Sequence, residues 1–136
     1  MIKIKLTDFG FATVIEPGEK LSLSLGSPLY MAPDIACKKP YDQKVDVWAI
    51  GVLSFMILTG SRPFPGKGKN EIFQHVLGDE PDYDLLKKYH KEGLECIDFI
   101  SRCLSKNAND RWSVQDLFKT KWMRRFQSVN QGMEAE

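Results

Sequence analysis

The sequence lacks the residue clusters that mark metal centres and disulfide scaffolds. It contains only two histidines, His75 and His90, and no group of metal-ligating residues surrounds either of them. The three cysteines, Cys37, Cys96 and Cys103, are odd in number and form no Cys-x-x-Cys pair. This pattern excludes a disulfide framework and a cysteine-based zinc site, and it favours reduced thiols in the cytoplasm or the nucleus.

An excess of one charge and a membrane-length apolar run are also missing. The net charge is +1, whereas proteins that bind nucleic acids or membrane surfaces usually carry a strong basic excess. The basic residues between Arg111 and Arg125 are explained more simply as a helix terminus, where cations complement the helix dipole. The longest apolar run, Val45 to Leu58, has fourteen residues, and a bilayer requires about 20. Lysines interrupt the N-terminal segment, so a secretory signal is not expected. We therefore expect no nucleic-acid partner and no membrane partner.

The hydrophobic patterning predicts one mainly helical domain over residues 1–126, followed by a polar tail over 127–136. Ile2, Ile4 and Leu6 alternate with polar residues, which predicts a short N-terminal strand. Residues 11–31 lack periodicity and contain prolines and glycines, which is typical of a loop. The remaining pattern predicts about five helices. The first follows Pro33, and the second covers Val45 to Leu58 and is expected to be buried on every side. The other three are a helix capped by Asn70, a helix carrying Leu94 to Leu104, and a helix that starts at Ser113 with a capping box to Asp116.

Four short motifs occur in order along this predicted chain. The first is Lys5-Leu6-Thr7-Asp8-Phe9-Gly10, and the second is Gly26-Ser27-Pro28-Leu29-Tyr30-Met31-Ala32-Pro33-Asp34. The third is Asp46-Val47-Trp48-Ala49-Ile50-Gly51, and the fourth is Asn109-Asp110-Arg111-Trp112. A single Asp-Phe-Gly is weak, but four motifs in this order and spacing resemble the C-terminal lobe of eukaryotic protein kinases. The stretches around Tyr41 to Val52 and Leu58 to Gly66 look most like the calmodulin-dependent and calcium-dependent group of Ser/Thr kinases.

The resemblance implies a partial protein-kinase-like fold, with a helical C-terminal lobe, one short N-terminal strand and the activation segment. It also implies a cofactor role for Asp8, Phe9 and Gly10. In the family the aspartate holds the Mg²⁺ that bridges the ATP phosphates, because magnesium prefers oxygen ligands and keeps several waters. Phe9 is expected to pack beneath Asp8, and Gly10 is expected to allow the sharp turn that follows.

The same resemblance implies that Gly26, Ser27, Pro28, Leu29 and Tyr30 form the pocket for a protein substrate, next to the phosphorylated residue. Tyr30 stands where tyrosine kinases typically carry tryptophan, which favours the Ser/Thr type. Ser22 and Ser24, in the loop before Gly26, are candidate phosphorylation sites. The alternative, that both are ordinary solvent-facing serines, stays open.

Two carboxylates are implied to have structural roles. Asp34 stands where the family usually has glutamate, and its implied partner is Arg111. Because aspartate is shorter by one methylene, we expect a bidentate pair to require a backbone shift or a bridging water, and the lobe to be somewhat destabilised. Asp46 lies in an apolar run, and we expect it to be a buried charge that lacks its usual donors. We also expect an uncovered hydrophobic face around it.

The glycine-rich loop, the phosphate-binding lysine and the catalytic aspartate that precede Asp-Phe-Gly in the family are not in this sequence. The first hypothesis is therefore a fragment of a Ser/Thr kinase that is inactive alone, with a missing N-lobe segment as its partner and ATP and Mg²⁺ as the parent cofactors. The alternatives are a non-catalytic kinase-like module that docks protein partners, and an unrelated helical protein with accidental motifs. Location in the cytoplasm or the nucleus fits each of them.

Overall fold

The helices surround one long central helix. The computed structural model describes residues 4–89 and 93–125. Within them the chain forms a 3-10 turn at Pro28–Tyr30 and six α-helices, with the bounds α1 Pro33–Ala36, α2 Lys44–Thr59, α3 Lys69–Gly78, α4 Asp84–Tyr89, α5 Gly93–Cys103 and α6 Val114–Leu117. Residues 121–125 are also helical. The expected mainly α fold class is confirmed. The boundary at residue 126 and the polar tail lie outside the described residues.

The central helix α2 begins and ends at local signals. The Asp42 side chain accepts a hydrogen bond from the backbone N–H of Lys44 at 2.9 Å, which satisfies a free donor of the first turn. Gly60 ends the helix in the left-handed region, with φ 70°, and its N–H donates to the Met56 carbonyl. Glycine adopts that conformation without a Cβ clash, so the helix ends cleanly there.

The core lies between α2, α4 and α5. Trp48, Val52 and Phe55 of α2 are buried together with Leu86 of α4 and with Ile100 and Cys103 of α5. The Trp48 and Phe64 rings stack with centroids 5.4 Å apart. Burial raises the pKa of the Cys103 thiol to about 12, although the nearby Arg111 acts in the opposite direction. This thiol is therefore an inert packing group rather than a nucleophile.

The prediction that α2 is buried on every side is wrong. Its buried face carries Val47, Trp48, Gly51, Val52 and Phe55. Ile50, Leu53 and Ile57 are 39%, 48% and 72% exposed, and their spacing places them on one stripe of the helix. The cause is that α4, α5 and the 3-10 turn pack on the other side. The uncovered hydrophobic face that the sequence predicts is this stripe, which we call the α2 stripe.

The predicted N-terminal strand does not form in its described part. Residues 4–6 have no regular structure, and Ile4 and Leu6 are 89% and 86% exposed. A strand requires a hydrogen-bonded neighbour. Among the described residues the only β-bridge joins Leu21 to Tyr41, so the N-terminal segment has no strand to pair with.

One of the two predicted helix caps is present and the other is not. The capping box of α6 is confirmed, because Asp116 N–H donates to Ser113 Oγ at 3.2 Å and Ser113 N–H donates to Asp116 Oδ2 at 3.4 Å. Hydrogen bonds from Lys119 and Ser113 lower the pKa of Asp116 to about 2. The prediction that Asn70 caps α3 is wrong, because that helix begins earlier, after Gly68. Glu71 accepts the Lys67 N–H at 2.8 Å at this end instead.

Candidate functional site

The Asp-Phe-Gly motif lies in an exposed segment with one unusual backbone angle. Asp8 has φ 62° and is one of two non-glycine residues with positive φ in the described chain, the other being Lys38. This conformation costs about 1–3 kcal/mol for a residue with a Cβ, and such residues concentrate at functional sites. The expected turn is at Gly10 and Phe11, but Gly10 is not in the left-handed region, and the positive φ belongs to Asp8 instead. The turn closes where Ala12 N–H donates to the Phe9 carbonyl at 3.0 Å.

Phe9 does not pack beneath Asp8, and that expectation is wrong. Its ring is 68% exposed at the edge of a groove. The reason is that no described segment lies on the side of the motif where the ring would be covered. The motif therefore has the local backbone of a functional turn without the apolar support that the family resemblance implies.

An open groove of about 820 Å³ lies between residues 9–30 and the N-terminal half of α2. Its lining includes Phe9 from the first motif, Gly26, Ser27 and Tyr30 from the second motif, and Asp46 from the third motif. The groove thus brings together predicted site residues that are up to 37 positions apart in sequence. Asp8, Gly10, Pro28 and Leu29 do not line it.

The stretch Gly26 to Tyr30 is held at the groove by its own turn. Gly26 has φ 98°, which a side chain rarely allows, so glycine is needed there. Tyr30 N–H donates to the Ser27 carbonyl at 3.1 Å and closes the 3-10 turn. Leu29 and Tyr30 pack against the helical core, which fixes the turn in place. Ser27 is exposed, and its side chain forms no capping hydrogen bond to the 3-10 turn. Its hydroxyl is therefore accessible from the groove.

Arg111 and Asp34 are in direct contact. Arg111 Nη2 donates to Asp34 Oδ2 at 2.9 Å, with the arginine side chain fully buried and the aspartate 14% exposed. Arg111 also donates to the carbonyls of Ser105 at 3.0 Å and Lys44 at 3.3 Å. The shorter carboxylate thus meets the guanidinium with one oxygen, and backbone carbonyls accept from the other nitrogens. The expected destabilisation relative to glutamate stays a prediction.

Asp46 is exposed, so the expectation of a buried charge is wrong. It lies in the first turn of α2, where the helix dipole favours a carboxylate. No hydrogen bond to its side chain is found among residues 4–89 and 93–125. The physical reason is that the groove is open to water at this point, and water solvates the charge.

Ser22 and Ser24 are both exposed. Ser24 Oγ lies 3.9 Å from Met31 Sδ, which is a weak contact. Both hydroxyls are therefore accessible. This accessibility fits a phosphorylation site and an ordinary solvent-facing serine equally well.

The sequence interpretation missed Lys20, Tyr41 and Asp42. Lys20 Nζ forms an ion pair with Asp42 Oδ2, and Tyr41 Oη donates to the Leu23 carbonyl at 2.6 Å. Partial burial acts to raise the pKa of Asp42, but hydrogen bonds from Lys20 and Lys44 outweigh it, so the pKa lies below the usual value. The stability from this carboxylate is present above its unfolded-state pKa and is lost as the pH falls through the folded one. An aspartate before a helix is a recognisable signal, but no pattern in the sequence links it to Lys20.

The described residues do not form a metal site by themselves. No group of three His, Cys, Asp or Glu side chains that could hold a metal ion occurs in the part of the chain that the structure describes. Asp8 offers one carboxylate. Magnesium commonly binds one or two protein carboxylates together with substrate phosphates and waters, so Asp8 fits as one ligand of a shared site only. Among the described helices, none has the length and apolar character needed to cross a membrane.

The known proteins that this chain is similar to are protein kinases. Residues 1–123 match the profile described as "Protein kinase domain". The chain is 35% identical to a probable myosin light chain kinase of Dictyostelium discoideum, over 88% of this chain and 30% of the relative. It is 34% identical to human serine/threonine-protein kinase ULK3, over 88% of this chain and 25% of the relative. It is 36% identical to CDPK-related kinase 3 of Arabidopsis thaliana, over 89% of this chain and 20% of the relative. The chain thus spans less than a third of the length of these relatives.

Proposed function

The chain belongs to the eukaryotic Ser/Thr protein kinase family, and from that premise we propose that it is the C-terminal helical part of a Ser/Thr kinase domain. In the parent enzyme this part contributes one magnesium ligand and the surface that binds the protein substrate. ATP and Mg²⁺ are the proposed cofactors, and cytoplasm or nucleus is the proposed location. Similarity to a CDPK-related kinase supports the proposed relation to the calcium-dependent group.

The observation that carries the proposal is the groove. It lies beside the Asp-Phe-Gly turn, and its lining contains Phe9, Asp46 and three residues of the substrate stretch, Gly26, Ser27 and Tyr30. In phosphoryl transfer, the metal-bound phosphate and the acceptor hydroxyl must meet in line. A groove that has Phe9 of the Asp-Phe-Gly motif and part of the substrate stretch in its lining is consistent with the arrangement that this reaction needs.

In the family the catalytic base and the nucleotide pocket come from segments that precede Asp-Phe-Gly, and we propose that this chain does not supply them. Phosphoryl transfer depends mainly on positioning and on charge stabilisation, and both require those groups to act together. Asp8 alone supplies one of the required ligands. We therefore propose that the chain is inactive alone and that an N-lobe segment completes the site.

The groove and the α2 stripe are the proposed contact surfaces for that segment. Ile50, Leu53 and Ile57 are apolar, exposed and continuous with the exposed Asp46 at the start of the same helix. Asp46 requires donors when its surroundings become dry, and the stripe requires an apolar cover. A segment meets both requirements if one part of it donates backbone N–H groups to Asp46 and another part packs apolar side chains on the α2 stripe.

A chimera tests the proposal directly. The residues that precede Asp-Phe-Gly in the Dictyostelium relative are joined to this chain at the motif, and phosphate transfer from Mg-ATP to Ser/Thr peptides is measured. We expect activity in the chimera, and we expect Asp8→Asn to lower it about a hundredfold or more, which is the size of the loss of one charge-stabilising group. Asp84→Asn, which removes an exposed carboxylate on α4 that binds Lys87, is the matched control and is expected to keep the activity.

Two outcomes contradict the proposal. One is a chimera that unfolds cooperatively yet transfers no phosphate. The other is transfer that Asp8→Asn leaves unchanged. The first outcome favours the alternative function, a non-catalytic module that docks protein partners, which the closed core around Trp48 and Phe55 also fits.

A further inference from the structure

The segment between the first two motifs is attached to the helices at one place. Residues 11–25 have no helix or strand of their own. In the part of the chain that the structure describes, their hydrogen bonds and ion pairs to the helical part start from residues 20–23, apart from the weak contact between Ser24 and Met31. The partners of residues 20–23 are Tyr41 and Asp42, immediately before α2.

Three kinds of contact coincide at this place. Leu21 and Tyr41 exchange two backbone hydrogen bonds, with N–H to carbonyl distances of 2.8 and 2.9 Å, as a hydrogen-bonded antiparallel pair does. Tyr41 Oη donates to the Leu23 carbonyl at 2.6 Å. Lys20 Nζ pairs with Asp42 Oδ2. The backbone pair, the phenol and the ion pair act on three residues, Lys20, Leu21 and Leu23, which lie within four positions of each other.

The attachment forms part of the groove wall. Leu21, Tyr41 and Asp42 all belong to the lining of the groove. Leu25 and Gly26, which follow directly, also line it and lead into the substrate stretch. Movement of residues 20–23 away from α2 would therefore displace the wall and the approach to Gly26 without touching the helical core.

We propose that Lys20, Leu21 and Leu23 form a releasable latch with Tyr41 and Asp42, and that this latch holds the groove wall in place. Tyr41 is the positioning residue of the latch. When the latch is closed, the residues before Gly26 are fixed against α2. When it opens, residues 11–25 are free while the helices stay folded. The importance of the wall for substrate binding rests on the proposed kinase function, whereas the latch itself does not.

The contributions of the contacts are unequal. An exposed ion pair is worth little, and the side chains of Lys20 and Asp42 are 48% and 21% exposed. Tyr41 forms a directed hydrogen bond to a specific carbonyl, and its backbone forms the reciprocal pair with Leu21. We therefore assign most of the closing free energy to Tyr41. The ion pair favours the pairing of Leu21 with Tyr41, because it holds the preceding residue, Lys20, next to Asp42.

Amide hydrogen exchange of the 136-residue chain tests the latch, since the amides of Leu21 and Tyr41 report its opening directly. We expect Tyr41→Phe to raise exchange at the Leu21 amide about fivefold, the effect of one lost hydrogen bond. Lys20→Met is expected to raise it about twofold. The amide of Leu104, which donates to the Ile100 carbonyl at 2.9 Å beside the core, is the reference and is expected to stay unchanged.

Lys87→Met is the matched control, because it removes another exposed lysine from an ion pair with Asp84 on α4. It is expected to leave exchange at Leu21 unchanged. The proposal is overturned if Tyr41→Phe leaves the Leu21 amide unchanged, or if the Leu104 amide accelerates by the same factor, which indicates loss of global stability. It is also overturned if the Leu21 amide of the unmodified chain exchanges as fast as an unstructured one. None of these results depends on kinase activity, so the latch and the proposed function fail separately.

Discussion

Replacing Arg111 with methionine is expected to lower the free energy of unfolding by about 3–5 kcal/mol. The arginine side chain is fully buried and is in direct contact with Asp34 at 2.9 Å. Methionine preserves much of the aliphatic volume, but it leaves the Asp34 carboxylate without its cation. The carbonyls of Ser105 and Lys44 lose a donor as well. An unpaired polar group in a buried site costs the full desolvation penalty, so several small losses add up at one place.

Urea unfolding followed by circular dichroism measures this effect. Arg102→Met is the matched control, because Arg102 pairs with Asp98 on the surface of α5 and lies over the Trp112 ring. We expect the control to cost about 1 kcal/mol, the range of exposed ion pairs and exposed cation–π contacts. Equal losses in the two variants would contradict the structural role of the Arg111 and Asp34 pair.

Replacing Gly51 with alanine is expected to destabilise the chain by about 1–3 kcal/mol, although alanine is the better helix former. A Cβ at this position would lie 2.6 Å from Cys103 Cβ and 2.8 Å from Leu104 Cδ2. Because the Cys103 Cβ is fixed to the backbone of α5, no rotamer change relieves the contact. The two helices must move apart, and this movement loosens the core around Trp48 and Ile100.

Gly78→Ala is the control for this substitution. Gly78 is the last residue of α3, and a Cβ there would meet no atom within 4 Å. The same chemical change is therefore expected to be neutral, or to stabilise by up to about 1 kcal/mol, through helix propensity. The pair is compared by thermal unfolding under one buffer condition. A Gly51→Ala variant that melts at or above the temperature of Gly78→Ala would contradict the close approach of α2 and α5.

Local signals in the sequence were sufficient to predict several elements. The apolar run from Val45 to Leu58 corresponds closely to α2, since the run and the terminating Gly60 are both local features. The capping box at Ser113 was predicted for the same reason. The prediction that Asn70 caps α3 was wrong because a helix start is uncertain by one or two positions in sequence, and a capping residue then cannot be told from a residue of the first turn.

Features that depend on distant segments were not predicted. The strand over residues 4–6, the packing of Phe9 and the burial of Asp46 all require neighbours that the described chain does not provide. Alternation led to the expected strand, the apolar run led to the expected burial of Asp46, and the family resemblance led to the expected packing of Phe9. For the candidate site, the motifs identified Gly26 to Tyr30 and Asp34, but the groove itself was not evident. Lys20 and Asp42 are 22 positions apart, and no periodicity connects them.

The groove also explains why the motifs alone leave the activity open. Asp46 and Phe9, the neighbour of Asp8, are within its lining, whereas Asp8 itself is not. Transfer of a phosphoryl group still needs a base and a nucleotide pocket acting at the same point. On the proposed function, the chain therefore contributes a substrate-binding surface and one magnesium ligand, and the remaining groups come from elsewhere.

Phosphate transfer from Mg-ATP by the isolated 136-residue chain tests the central claim most directly. Complete protein kinases turn over about 1–100 times per second, so even a small residual activity is measurable. Transfer to Ser/Thr peptides is followed with radiolabelled ATP, beside the Asp8→Asn variant and a sample without protein. The account predicts that all three samples give the same background. Transfer by the unmodified chain that disappears in Asp8→Asn would contradict it, because one magnesium ligand would then suffice without the rest of the domain.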